Sequence, residues 1–161
     1  MALSIGSANL IDLGPLSISD YPFTLTGWFR VPASSSLLTL IRFRNTTTSS
    51  YHGLNFEGHN ANYVSAMSKV STASAARSAI PMTSGQWHHV TGVFESSTLR
   101  RVYLDGGNQG QAYHEKLFEG MDDHSLGNLA SSTAIEAAEV AVLSVALGID
   151  EIQELASGIS P

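Results

Sequence analysis

The sequence has no cysteine. Disulfides, thiolate metal sites and cysteine nucleophiles are therefore excluded. Secreted eukaryotic β-domains often carry disulfides, so the absence points to a bacterial or viral source and to synthesis in the cytosol. Charge is scarce as well: 14% of the 161 residues are charged, with eight basic residues against 14 acidic and a net charge of −6. Only Arg100 and Arg101 are adjacent basic residues. A nucleic-acid binder needs clustered Lys and Arg to displace counterions, so no nucleic acid is expected as a partner. No apolar run approaches the ~20 residues of a membrane span, and no basic amphipathic helix is present, so no membrane partner is expected. The opening MALSIGSANLIDLG lacks the basic stretch and apolar core of an export signal. The sequon Asn45-Thr46-Thr47 is then read as incidental.

What is present is a chain 43% hydrophobic, enough for one ordered domain, expected over residues 1–161. Its pattern is one of short alternating segments punctuated by Gly, Ser, Asn and Pro. LSIG and NLIDL come first. In YPFTLTGWFRVP, Phe23, Leu25, Gly27 and Phe29 share one face and Thr24, Thr26, Trp28 and Arg30 the other. In SLLTLIRFR, regular alternation places Leu38, Leu40, Arg42 and Arg44 together, opposite Leu37, Thr39, Ile41 and Phe43. YHGLNFEG and NYVSAMSKV form a hairpin across HNAN. STASAARSA is Ala-rich, yet its β neighbours and Ser/Thr content favour a strand. Strands follow at about 87–95 and 99–104, then at SLGN and EAAEVAVLSVAL. DGGNQG is read as a turn, because Asp-Gly and Gly-Asn supply positive φ.

Only GIDEIQELASG has helical periodicity, with Ile149, Ile152, Leu155 and Ala156 on one face. Gly148 is its N-cap, Glu151 reaches back three residues, and Gly158 is expected in the left-handed C′ position. The expected fold is all-β: an antiparallel β-sandwich with one short C-terminal helix, a closed barrel being the alternative.

The segments WHHVTGVFESSTLRRVYLDG and EVAVLSVALGIDEIQELASGISP resemble the concanavalin A-like, laminin-G-like jelly-roll superfamily. The matching residues are Trp87, His89, Val90, Tyr103, Asp105, Gly106, Glu139, Val140, Leu147, Glu151, Ile152 and Leu155, with Phe23, Thr24 and Trp28 in an early strand. The resemblance covers essentially the whole chain and implies a jelly roll. It departs at Gly148, where Ser or Thr commonly caps the helix, and in lacking a mappable pair of calcium-loop aspartates. That superfamily spans lectins, adhesion modules, glycosidases and viral structural domains, so the resemblance implies fold and leaves function open.

The histidine pair poses the first site question. On a strand, His88 and His89 point to opposite faces and do not share a metal. His89 is expected to hydrogen-bond a neighbouring strand or loop. A glycosidase on such a sandwich needs two carboxyls ~5–10 Å apart across a groove. No likely middle strand carries E-x-D or E-x-E, and the odd spacing of Glu136 and Glu139 turns them apart in a regular strand. No nucleophile elbow or phosphate-cradling loop is present. The protein is expected not to be an enzyme, and no cofactor is expected. A metal is to be considered in MDDHS, where Asp122, Asp123 and His124 could serve calcium or zinc, calcium at Asp122 and Asp123 first, although hard cations need further carbonyl ligands. Sugar sites stack aromatics on pyranose faces and bond hydroxyls through amides and carboxylates. On that chemistry the candidate ligand-binding residues are Tyr51, Asn55, His59, Asn60 and Tyr63.

The closing segment resembles those of phage and bacterial proteins. The expected function is therefore a non-catalytic virion module, a capsid decoration or tail appendage. It would be made in the host cytoplasm and displayed on the virion surface. Its expected partners are viral capsid or tail proteins, further copies of itself in a homo-oligomer such as a trimer, and host glycans. The alternative is a carbohydrate-binding adhesion module of a bacterium, extracellular or at the cell surface.

Overall fold

The computed structural model describes residues 2–6, 10–13, 18–118, 120–127 and 133–158. Asn9, Asn128 and the closing Ile159-Ser160-Pro161, which belong to segments read above, lie outside the described residues. Twelve strands and one helix run in the order β1 (Leu3–Ile5), β2 (Leu10–Asp12), β3 (Phe23–Arg30), β4 (Leu37–Arg44), β5 (Tyr51–Glu57), β6 (Tyr63–Val70), β7 (Thr72–Arg77), β8 (Trp87–Phe94), β9 (Leu99–Leu104), β10 (Gly107–Tyr113), β11 (Asp123–Gly127), β12 (Ile135–Leu143) and α1 (Ile149–Ala156). Sheet A has the order β1-β12-β3-β8-β9-β10, and sheet B the order β2-β11-β4-β5-β6-β7. All pairings are antiparallel. This is the expected two-sheet jelly-roll sandwich.

The core forms where the apolar positions of the two sheets meet. Phe23, Leu25 and Phe29 of β3 and Val90 and Phe94 of β8 face Leu54 and Phe56 of β5 and Val64 and Ala66 of β6. One end is aromatic: Phe23 stacks on Phe94 at 4.5 Å and tilts against Phe43 at 5.3 Å. The sheets approach closely at Gly92, where an added Cβ would lie 2.5 Å from a Leu54 methyl.

Four expectations need correction. Leu40 forms a β-bulge in β4, because Thr39 pairs with Asn55 and Ile41 with the next residue, Leu54. The extra residue reverses the alternation. Leu38, Leu40, Ile41 and Phe43 all enter the core, leaving Arg42 and Arg44 outside with Thr39 rather than with the leucines. A second bulge, between Ala138 and Ala141, has Glu139 at φ 51°. It moves the core positions from Ile135 and Ala137 to Val140 and Val142, so Glu136 and Glu139 both lie off the core instead of on opposite faces. DGGNQG is a turn only at its start. Asp105 and Gly106, at φ 53° and 71°, make a two-residue hairpin, and Gly107 already pairs back with Leu104 in β10. Finally, Gly158 is not left-handed: α1 ends at Ser157 with φ −80°, whose N–H bonds Gln153 and Glu154 carbonyls.

Candidate glycan-recognition face

Helix α1 packs on the outer face of sheet A, where Ile152 joins Val93 and Tyr103 in a small satellite core. Alternation along sheet B sends its own outer positions away from the core. The register aligns Arg42 and Arg44 of β4 with Gly53 and Tyr51 of β5, and Asn55 and Glu57 of β5 with Ser65 and Tyr63 of β6. Ser65 is in turn opposite Arg77 of β7, and Arg44 is opposite Asp123 of β11. Polar residues from five strands thus share one surface.

That surface is held by ion pairs. Arg44 meets Asp123 at 2.6 Å, and Arg77 Nε donates to Glu57 Oε2 at 2.7 Å. Glu57 is wholly buried while the Arg77 side chain is 46% exposed. Burial pushes the Glu57 carboxyl up, but the nearby Ser65 hydroxyl, the hydrogen bonds from Arg77 and Asn60 and the Arg77 charge outweigh it and leave it below the usual carboxylate range. Tyr51 lies between Arg42 and Glu57, and its hydroxyl donates to Met67 Sδ at 2.8 Å. Desolvation raises its pKa, against the lowering effect of Arg42. Its ring and that of Tyr63 are half-buried, fixed in place yet with area open to solvent.

The candidate residues from the sequence divide accordingly. Tyr51 and Tyr63 share this face but stand at opposite ends of the β5–β6 pair, Tyr51 opposite Lys69 and Tyr63 opposite Glu57. His59 is exposed in the β5–β6 turn. Asn60, in the same turn, uses its amide to donate to Glu57 Oε2 at 3.1 Å, so it braces the carboxylate. Asn55 is a correction: it faces the right way but is 1% exposed, beneath the surface a ligand would touch. Asp122 and Asp123 do not converge on an ion. Asp123 is committed to Arg44. Asp122 accepts from the Thr46 N–H and hydroxyl, both at 2.8 Å, which hold its carboxyl below the usual range. Among the described residues, no three His, Asp or Glu side chains are grouped to hold a metal. Sequence reasoning missed Arg44, Glu57 and Arg77, whose partners lie on strands far apart in the chain.

His88 and His89 separate as alternation requires. His88 Nδ1 is 2.7 Å from Asp105 Oδ2, and the His89 backbone N–H donates to Oδ1 of the same carboxylate. His89 Nε2 lies 3.2 Å from the Thr26 hydroxyl, itself 2.7 Å from that of Thr91. Desolvation lowers the His89 pKa to about 4 against the raising effect of Asp105. This closed array joins strands β3 and β8 and the β9–β10 turn.

Among the described residues, no helix is long and apolar enough to cross a membrane. Domain 4 of an extracellular GH43 arabinanase from Geobacillus stearothermophilus, solved with arabinotriose, superposes with a TM-score of 0.76 at 15% identity over 95% of this chain and 75% of its own. The native heptameric SAP-like pentraxin of Limulus polyphemus gives 0.74 at 15% identity, over 99% and 83%. The botulinum neurotoxin serotype G binding domain gives 0.68 at 11% identity over 96% of this chain, which spans 46% of that domain. At these identities the likeness is one of fold. No curated protein matches the sequence. The family model for the concanavalin A-like lectin/glucanases superfamily matches residues 6–153, and the chain belongs to that superfamily.

Proposed function

We propose that the protein is a non-catalytic carbohydrate-recognition module that binds glycan on the outer face of sheet B. The observation that carries this reading is that one face presents two half-exposed tyrosines, one at each end of the β5–β6 pair, with ion pairs between them that fix polar groups in place. Tyrosine rings stack on the C–H faces of sugars, and pre-organised charged donors bond hydroxyls with little ordering cost. The carboxylates argue for binding over hydrolysis. A glycosidase general acid must hold a proton near neutral pH, which requires a raised pKa. Glu57 is shifted the other way, and Asp123 is spent on Arg44. The reading invokes no cofactor. It places the protein outside the cell or at a surface, where glycans are met.

The test is a glycan array followed by titration calorimetry, with arabino-oligosaccharides among the probes. Tyr51→Ala and Tyr63→Ala are expected to weaken binding about tenfold each, the equivalent of one stacking contact. An array without hits, or hits that survive both substitutions, would overturn the proposal.

A second reading keeps the protein as a capsid decoration or tail appendage on the virion surface, assembled as a homo-oligomer. One observation favours it: Val145, Ile149 and Leu155, flanking and within α1, are 50%, 45% and 40% exposed, the kind of apolar fringe that docks on protein. Co-sedimentation with purified capsids, without sugar binding, would select it.

A further inference from the structure

Arg100 lies on the core-facing side of β9, paired with Phe94 of β8, and is wholly buried. A guanidinium stays protonated in proteins. Burying it is costly unless it is paired and its donors are satisfied. Only Nη2 has a protein partner, the His114 carbonyl oxygen at 2.6 Å; Nε and Nη1 have none.

Among the described residues no carboxylate is paired with Arg100; the charge nearest in effect is that of exposed Asp20, which bears on Tyr21. The Tyr21 hydroxyl donates to the Lys116 carbonyl at 2.6 Å, and burial raises its pKa above the ordinary value, so it is a neutral phenol. His52 is wholly buried, with its pKa lowered to about 4 by desolvation and then by Arg100, so it is a neutral ring. Lys116, two residues beyond the carbonyl that Arg100 bonds, is 4% exposed. Its Nζ reaches only neutral oxygens, Thr72 Oγ1 at 2.9 Å and the Val70 carbonyl at 3.4 Å. Among the described residues the ion pairs lie elsewhere: Arg30–Glu136, Arg44–Asp123, Arg77–Glu57, His88–Asp105 and Arg101–Glu95. Among the described residues, the buried part of this end of the core therefore holds Arg100 and Lys116 with no carboxylate paired to either.

We propose that a small monovalent anion of the halide class binds between the sheets beside Arg100, accepting hydrogen bonds from Nε and Nη1. Size follows from burial. Arg100 and His52 are closed to solvent, which suits a compact ion taken up as the sheets close. The ion would neutralise the guanidinium and couple the folded state to halide concentration. It is independent of the glycan face, on the other side of sheet B.

The experiment uses the full chain exchanged into sodium gluconate. Chloride or bromide replaces gluconate at constant ionic strength. The expected result is a saturable rise in Tm of about 3 °C or more, the signature of a ligand bound only by the folded state. Crystals grown in bromide are expected to show an anomalous peak within hydrogen-bonding distance of Arg100 Nε or Nη1. Arg100→Met is expected to abolish the halide-dependent rise. Should that variant fail to fold, the wild-type titration and the bromide crystals decide alone. Equal Tm values in halide and gluconate, or bromide absent from Arg100, overturn the proposal.

Discussion

His52 and His89 show how a single side chain turns core packing into pH dependence. Both are nearly or wholly buried, and both have pKa values lowered to about 4 from an ordinary 6.5, desolvation being the main cause. Arg100 adds to the shift at His52, and Asp105 opposes it at His89. The unfolded chain binds these protons first. Their contribution is thus fully present above about pH 6.5 and is lost as pH falls towards 4, with a limiting slope of about 1.4 kcal/mol per pH unit for each ring. Urea titrations at pH 7, 5.5 and 4.5 are expected to show this loss, and His52→Gln to show a shallower one. A slope unchanged in His52→Gln would refute the assignment. At the same scale, Gly92 has no space for a side chain against Leu54 and Ala66. Gly92→Ala is expected to cost about 1–3 kcal/mol through overpacking, read as a lower denaturation midpoint with an unchanged m-value. Alternation along β8 puts His88 and His89 on opposite faces, as the structure has them. That His52 is closed off by Phe118 depends on a segment remote in sequence.

At the scale of elements, the strands legible in the sequence were those whose alternation is regular, β3, β5 and β8. The misreadings have one physical origin. A single inserted residue leaves composition unchanged but inverts every later side chain, as Leu40 does in β4 and Glu139 in β12. Strand β10 was hidden for another reason. Its Gly-Asn-Gln-Gly opening reads as a turn, yet Gly110 is needed because a Cβ there would run into the Arg77 carbonyl of β7. The helix was legible, and its N-terminus is half capped: the Glu151 carboxylate accepts the Gly148 N–H at 2.7 Å, but Gly148 has no side chain to return the bond. With Gly148 already extended at φ −78° and ψ 168°, Gly148→Ser completes the exchange without strain. It is expected to add a few tenths of a kcal/mol, measurable as a small rise in denaturation midpoint that persists in a Glu151→Ala background, because the new hydroxyl accepts from the residue 151 backbone N–H.

At the scale of the whole molecule, the two outer faces differ in kind. Sheet A carries α1; sheet B carries paired charges around tyrosines. The sequence named Tyr51 as an available aromatic and Tyr63 beside the amide-rich β5–β6 turn, but the charge framework required the register of β4, β5, β6, β7 and β11. This asymmetry allows a matched test of where glycan binds. Arg77 and Arg101 are both partly exposed arginines in carboxylate pairs, with Glu57 and Glu95 respectively. The first lies on the outer face of sheet B and the second on that of sheet A. If sheet B is the recognition face, Arg77→Ala removes a charged donor on the Tyr63 side of that face and leaves the Glu57 carboxylate without its cation. Affinity is expected to fall about tenfold or more, since a hydrogen bond to a charged group contributes about 1.5–3 kcal/mol. Arg101→Ala breaks a comparable pair at a distance from the ligand, and its affinity is expected to stay within about twofold of wild type, as for an independent site. Calorimetry on the two variants, with denaturation midpoints measured in parallel, separates lost recognition from lost stability. Equal losses would remove the case for sheet B, and a loss confined to Arg101→Ala would move the site to the helix-bearing face.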